Sequence, residues 1–181
     1  MPYEPPPELA AMSLAEITAL AAARGLPPVS EWQPQRSGDS LMRIAADGRW
    51  YHDGGEITRP AMIRAFASLL MRDEAGQHWL VTPHEKLSIV VEDAAFMAID
   101  LVREGGALAF RLNTDDLVVA GPEHPITARG DPDLPAVYLG VRNGTEARLN
   151  RSTWGQLAEI ALSDGGTSVT SQGETFSLVP Q

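Results

Sequence analysis

The feature that most restricts this chain is its punctuation. Short apolar runs alternate with two- and three-residue turn signals along most of its length. LMRIA (41–45) and RWYH (49–52) flank Asp47-Gly48, and Asp53-Gly54-Gly55 turns the chain again. FMAIDLV (96–102), ALAFRL (107–112) and DLVVA (116–120) are separated by Gly105-Gly106 and by residues 113–115. AVYLGVR (136–142) and EARL (146–149) flank Asn143-Gly144, and TSVTS (167–171) and TFSLV (175–179) flank Gln172-Gly173. Asn-Gly and Asp-Gly supply the positive φ that tight hairpins need. A chain punctuated in this way folds into hairpins and meanders, each with one buried and one wet face. QHWLV (77–81) and LSIVV (87–91) read as further strands, whereas the polar stretch 29–40 and the proline- and glycine-rich stretch 121–135 read as loops.

Three segments carry helical periodicity instead. In 13–24, Leu14, Ile17, Leu20 and Ala21 form an apolar stripe, Ser13 and Glu16 have capping-box spacing, and Gly25 with Pro27 and Pro28 stops the helix. In 59–71, Met62 and Phe66 form the stripe, Pro60 suits the first turn and Thr58 is the expected cap. A third helix is expected over 151–162, and residues 2–8 read as an extended proline-rich leader.

Composition narrows the function classes. A net charge of −10 opposes binding to a phosphate backbone, so no nucleic-acid partner is expected. With no cysteine there is no disulfide and no thiolate chemistry, which fits a reducing, cytoplasmic setting. The longest apolar run, 65–71, is far below the roughly 20 residues of a spanning helix, so no membrane partner is expected either. The four histidines (His52, His78, His84 and His124) include no i, i+4 pair, and no metal site or cofactor is expected. GxSxG, GxGxxG and P-loop patterns are absent, and no catalytic residue is assigned.

An internal repeat suggests two lobes. DGGEITRPAMIRAFASLL (53–70) and NGTEARLNRSTWGQLAEIAL (143–162) both run turn, short strand, polar cap, helix. Matching Arg59 to Arg151 brings Ile57 onto Leu149 and Met62 onto Trp154. The fold expected is α+β: two β-rich, structurally similar lobes, each a hairpin–helix–strand repeat with mainly antiparallel sheet, plus an N-terminal helix. The corresponding layout is an extension and helix over 1–28, a first lobe over 29–84 and a second over 85–181.

The stretches DGRWYHDGGEITRPAMIRAF, LVTPHEKLSIVVEDAAF and VYLGVRNGTEARLNR resemble the proteobacterial domain-of-unknown-function family 1285 over roughly residues 29–181. That resemblance implies a fold of two similar β-rich halves with helices packed against them. It implies no established reaction and no catalytic residues; the role suggested for the family is ligand binding in signalling.

The polar residues that invite a functional reading lie mostly around one strand. His84 and Glu85 precede LSIVV, and Glu92 and Asp93 follow it. In an extended chain neighbouring residues point to opposite sides, and the two ends of the strand lie too far apart for direct cooperation. The preferred reading is a joint between the lobes, with ligand contact second. Trp32, Tyr51 and His52 fall outside the core pattern and are candidates to line a surface cleft, the usual place for a ligand between two walls. Arg59 and Arg151 open their helices against the macrodipole, so each is expected to pair with a carboxylate or, failing that, to hold an anionic ligand. The expected function is binding of a small ligand or a protein partner in a regulatory role. An enzyme using carboxylate and histidine groups between the lobes, or a purely structural interaction module, is the alternative. With no metal-ligating pattern in the sequence, a chelator should leave the melting temperature unchanged; a fall reversed by a divalent cation would contradict this.

Overall fold

The protein is described here by a computed structural model covering residues 4–181. Residues 2 and 3 of the expected proline-rich leader lie outside the described residues. Ser13 caps as expected: its Oγ accepts the Glu16 N–H at 3.2 Å and opens helix α1 (Leu14–Ala23). Fourteen strands and two further helices follow. The order is β1 (Arg36–Ile44), β2 (Trp50–His52), β3 (Gly55–Ile57), α2 (Pro60–Ala67), β4 (Leu70–Arg72), β5 (His78–Val81) and β6 (Glu85–Val91). Then come β7 (Phe96–Glu104), β8 (Ala107–Leu112), β9 (Leu117–Val119), β10 (Ile126–Asp131), β11 (Leu134–Gly140), β12 (Glu146–Leu149), α3 (Arg151–Ser163), β13 (Ser168–Ser171) and β14 (Glu174–Ser177).

The two large sheets repeat one topology. The first has the order β3-β2-β1-β6-β5-β4 and the second, read from its other edge, β9-β8-β7-β12-β11-β10. In each, the first and last of six consecutive strands pair in parallel at the centre, β1 with β6 and β7 with β12, and the remaining pairings are antiparallel. The expectation of two similar, mainly antiparallel lobes with an N-terminal helix holds.

The register of the duplication differs from that read in the sequence. The equivalent units are β1–β6 and β7–β12, not the segments around α2 and α3. Helix α2 is the crossover between the two edge strands of the first sheet, whereas α3 follows β12 and leads to the separate β13–β14 hairpin. Turn, cap and helix recur locally in both places, and local pattern carries no record of sheet order. The boundary after residue 84 also moves: β6, read as the opening of the second lobe, completes the first sheet between β1 and β5. Three smaller expectations are corrected. Strand β1 begins at Arg36, inside the stretch read as a loop, and β10 forms within 121–135 as an edge strand, where flanking prolines are tolerated. The cap of α2 is Arg59, with no side-chain cap bond, because Pro60 takes the first helical position immediately after it.

Both sheets bury one face in a common core. Met42, Ile44, Trp50, Leu80 and Ile89 of the first join Phe96, Phe110, Leu112, Leu139 and Leu149 of the second, with Leu157, Ala161 and Phe176 from the α3 region. The N-terminal extension has its own cluster: Leu9, Met12 and Ile17 pack on Ala109 and Leu117, on the other side of the second sheet.

The opening between the sheets is crossed at the turn after β11. Arg72 donates its backbone N–H to the Asn143 carbonyl at 2.9 Å, and Gly144, at φ +77°, lies so close that an added Cβ would stand 2.5 Å from the Arg72 carbonyl oxygen. Gly144→Ala therefore combines an unfavourable φ with a backbone clash, and should lower unfolding free energy by about 2 kcal/mol. Equilibrium urea melts check this; a wild-type midpoint would show that the contact does not restrain the lobes.

Candidate functional site

Of the joint expected around β6, only the acids at its far end divide between the lobes; β6 itself, which Glu85 opens, belongs to the first sheet. Glu92 turns to the first sheet, accepting from Arg43 at 2.7 Å and from the Ala46 N–H at 2.8 Å. Its neighbour Asp93 turns to the second, accepting from the Tyr138 hydroxyl at 2.6 Å and from Arg148 at 2.7 Å. His84 is exposed, with its backbone N–H on Thr82 Oγ1 at 3.3 Å, and the half-buried Glu85 opens β6. A seven-residue strand separates these residues from Glu92 by roughly 20 Å, so the four do not form one site.

The remaining residues singled out in the sequence are also dispersed. Arg59 and Arg151 are exposed and make no ion pair among the described residues, which corrects the expected pairing with carboxylates. At a helix start open to water, solvation and screening offset the unfavourable dipole. Trp32 is half-buried after the short 3-10 helix Val29–Glu31. Tyr51 lies under the Arg43 guanidinium, 4.3 Å from the ring centroid. His52 lines an apolar cavity of about 350 Å³ between α2 and the first sheet, with Met42, Met62, Phe66, Leu80 and Leu87.

A larger cleft, about 590 Å³, lies elsewhere and is built by three separate segments. Helix α1 supplies Leu20, Ala21 and, at its end, Arg24; α2 supplies Arg64; the second lobe supplies Asp116, Val118 and Val119 with Val141 and Arg142. At its floor Arg24 and Arg142 share Asp116, whose side chain is 5% exposed. Arg24 Nη1 abuts Asp116 Oδ1, while Arg142 Nη1 stands 3.6 Å from Oδ2 and Thr114 Oγ1 donates to Oδ2 at 2.5 Å. Backbone carbonyls take other donors. Arg24 reaches the Arg64 carbonyl at 3.2 Å, Arg142 reaches that of Ala67 at 3.3 Å, and Arg64 donates to the Thr114 carbonyl across the lobes.

The helical geometry of α2 explains part of this arrangement. The last carbonyls of a helix carry partial negative charge, so the end of α2 is a natural seat for guanidinium groups even though the Arg64 carbonyl also accepts the Ser68 N–H at 3.0 Å. Burial is the largest effect on these cations. It lowers Arg24 to about 9, helped by repulsion from Arg142 and Arg64, and lowers Arg142 to about 10, helped by repulsion from Arg64. Both remain charged at neutral pH. Asp115 is also raised by burial, but it is engaged by Arg111 at 2.6 Å; His124 meets the Gly140 carbonyl through Nδ1 at 3.0 Å. Among the described residues no group of three or more histidine and acidic side chains is placed to hold a metal. No helix among them is long and apolar enough to cross a membrane.

None of Arg24, Arg64, Asp116 or Arg142 was singled out from the sequence. The one local hint is Asp115-Asp116 in a turn, which by itself reads as turn chemistry; the burial of Asp116 comes from α1 and α2 closing over it.

Comparison with known proteins places this architecture. A domain of unknown function (DUF1285), N-terminal domain, matches residues 27–94, and the C-terminal domain of the DUF1285 protein of unknown function matches 95–178. The crystal structure of a DUF1285 family protein from Silicibacter pomeroyi DSS-3 is 39% identical, covering 91% of this chain and 94% of that one, with a TM-score of 0.77. The chain belongs to the DUF1285 family. A second DUF1285 structure, from Shewanella baltica OS155, is 27% identical over 69% of this chain and 96% of its own, with a TM-score of 0.55. No curated protein matches the chain. The division between the two DUF1285 domains falls one residue after Asp93, at the joint. The first 26 residues, including Arg24, lie outside both matches.

The cluster makes a stability prediction. Asp116→Ala leaves the buried guanidiniums without their shared counter-charge and should cost about 3–5 kcal/mol. Arg24→Met leaves Asp116 with Arg142 and Thr114 and should cost less than about half of that. Equal losses in denaturant melts of the two variants would show that Asp116 does not serve both arginines.

Proposed function

We propose that this DUF1285 protein is a regulatory binding protein whose small-molecule ligand occupies the cleft between α1, α2 and the β8–β9 turn. One observation carries the reading: the cleft walls come from the N-terminal extension, the first lobe and the second lobe together. A molecule held there contacts all three and favours one seating of the lobes over others, which is what a ligand-controlled switch requires. The volume lies within the roughly 300–1,000 Å³ range of small-molecule sites, and a concave site suits such a ligand better than a protein surface does. The acidic net charge argues against a nucleic-acid partner, and the cysteine-free composition fits action in the cytoplasm.

Leu20, 42% exposed on the α1 wall, allows a test that spares the core. In a thermal-shift screen of neutral and charged metabolites, true ligands should raise the wild-type melting temperature and lose that effect in Leu20→Trp, whose indole fills the cleft. Hits that survive the substitution unchanged, or a screen without hits, would reject the cleft as the binding site.

A further inference from the structure

We propose that the ligand of this cleft carries an oxyanion on an apolar body, and that Asp116 is the internal carboxylate with which the oxyanion competes for Arg24 and Arg142. The inference rests on the binding role proposed above and narrows it to a chemical class.

The cations at the floor are incompletely used. Asp116 is the carboxylate shared by Arg24 and Arg142, and Arg142 reaches it only at 3.6 Å. Arg142 Nε is buried with no hydrogen-bond partner among the described residues, and the bonds of Arg24 and Arg142 to the α2 carbonyls are long, at 3.2 and 3.3 Å. A buried donor left unpaired carries the full cost of its desolvation. A phosphate or carboxylate presents several acceptors in the plane that a guanidinium fork matches, so it would satisfy these donors and offset their mutual repulsion.

The rest of the wall decides what is attached to that head group. Leu20, Ala21, Leu26, Val118, Val119 and Val141 give the same cleft an apolar lining. Its other charged side chains do not neutralise the floor: Arg111 takes Asp115, and Glu4 and Glu123 are exposed. Those acids at the margin disfavour a polyanion and favour one charged head on an apolar body.

Arg24 has a distinct place in this arrangement. It lies outside both DUF1285 domain matches, yet it delivers one of the two guanidiniums on Asp116. The N-terminal extension thereby completes the site.

Isothermal titration calorimetry on the full chain tests the proposal with phenyl phosphate, benzoate, inorganic phosphate and benzyl alcohol as probes. Phenyl phosphate and benzoate should bind, phenyl phosphate more tightly than inorganic phosphate, and benzyl alcohol should not. Arg24→Gln should weaken phenyl phosphate by about tenfold, the loss of one charge-assisted contact. Asp116→Asn should tighten it several-fold by removing the internal competitor, with circular dichroism used to confirm that each variant is folded. Purely structural roles for the two residues do not produce changes of opposite sign. Unchanged affinity in Arg24→Gln, or weaker binding in a folded Asp116→Asn, would overturn the proposal, and Arg24→Gln decides alone if Asp116→Asn does not fold. Benzyl alcohol binding as well as the anions would overturn the oxyanion class and leave the binding role intact; no anion binding would overturn the class outright.

Discussion

The parallel pairing of the first and last strand in each set of six is the constraint on which the rest of the structure depends. It puts the third and fourth strands of each set at opposite edges of a six-stranded sheet, about 24 Å apart if the sheet were flat. In the second lobe only residues 120–125 join those edges, and the Gly121–His124 bridge folds that link back on itself. The sheet must therefore curl until its edges approach. In the first lobe the crossover has room for the eight-residue α2, which spans about 12 Å and ends above the second lobe. Curling turns the apolar faces inward, and the two meet in one core.

Because the crossover of the first lobe is a helix, its C-terminal carbonyls are brought to the seam, and the arginine cluster follows from that. The exposed pairs of the joint and the buried pair of the cleft differ in kind. Arg43 and Glu92, each about 40% exposed, gain a surface pair's fraction of a kcal/mol. Arg24 and Asp116, 15% and 5% exposed, have given up most of their hydration, so loss of Asp116 strands buried guanidiniums, whereas loss of Arg24 leaves Asp116 with Arg142 and Thr114. The joint holds direction; the cluster holds the lobes and α1 against one another.

Much of the secondary structure was legible. Ser13 with Glu16, and Pro60, marked the starts of two helices correctly, and the third was placed over nearly its full length, because caps and turns are local chemistry. That Glu92 and Asp93 face opposite ways was legible for the same reason, since neighbours in an extended chain alternate sides, but the boundary they mark was read eight residues too early, after residue 84. The alignment of α2 on α3 failed because turn, cap and helix recur wherever a strand hands over to a helix. The true repeat of six strands has no comparable local signature. Strand β10 went unread because prolines and glycines at an edge look like a loop.

By itself the sequence determined the three helices, most of the strands, the hairpin turns and the absence of thiol chemistry, all consequences of residue identity and interactions within a few residues along the chain. Only the tertiary structure decided which strands share a sheet, that β6 closes the first sheet, and that Arg24, Arg64, Asp116 and Arg142 meet at one cleft. Those residues are separated by up to 118 positions, from Arg24 to Arg142, and no periodicity or spacing records such a meeting. It results from the curl of two sheets and the docking of α1 on the second, and the charge of each group acquires its meaning from the burial that this packing imposes.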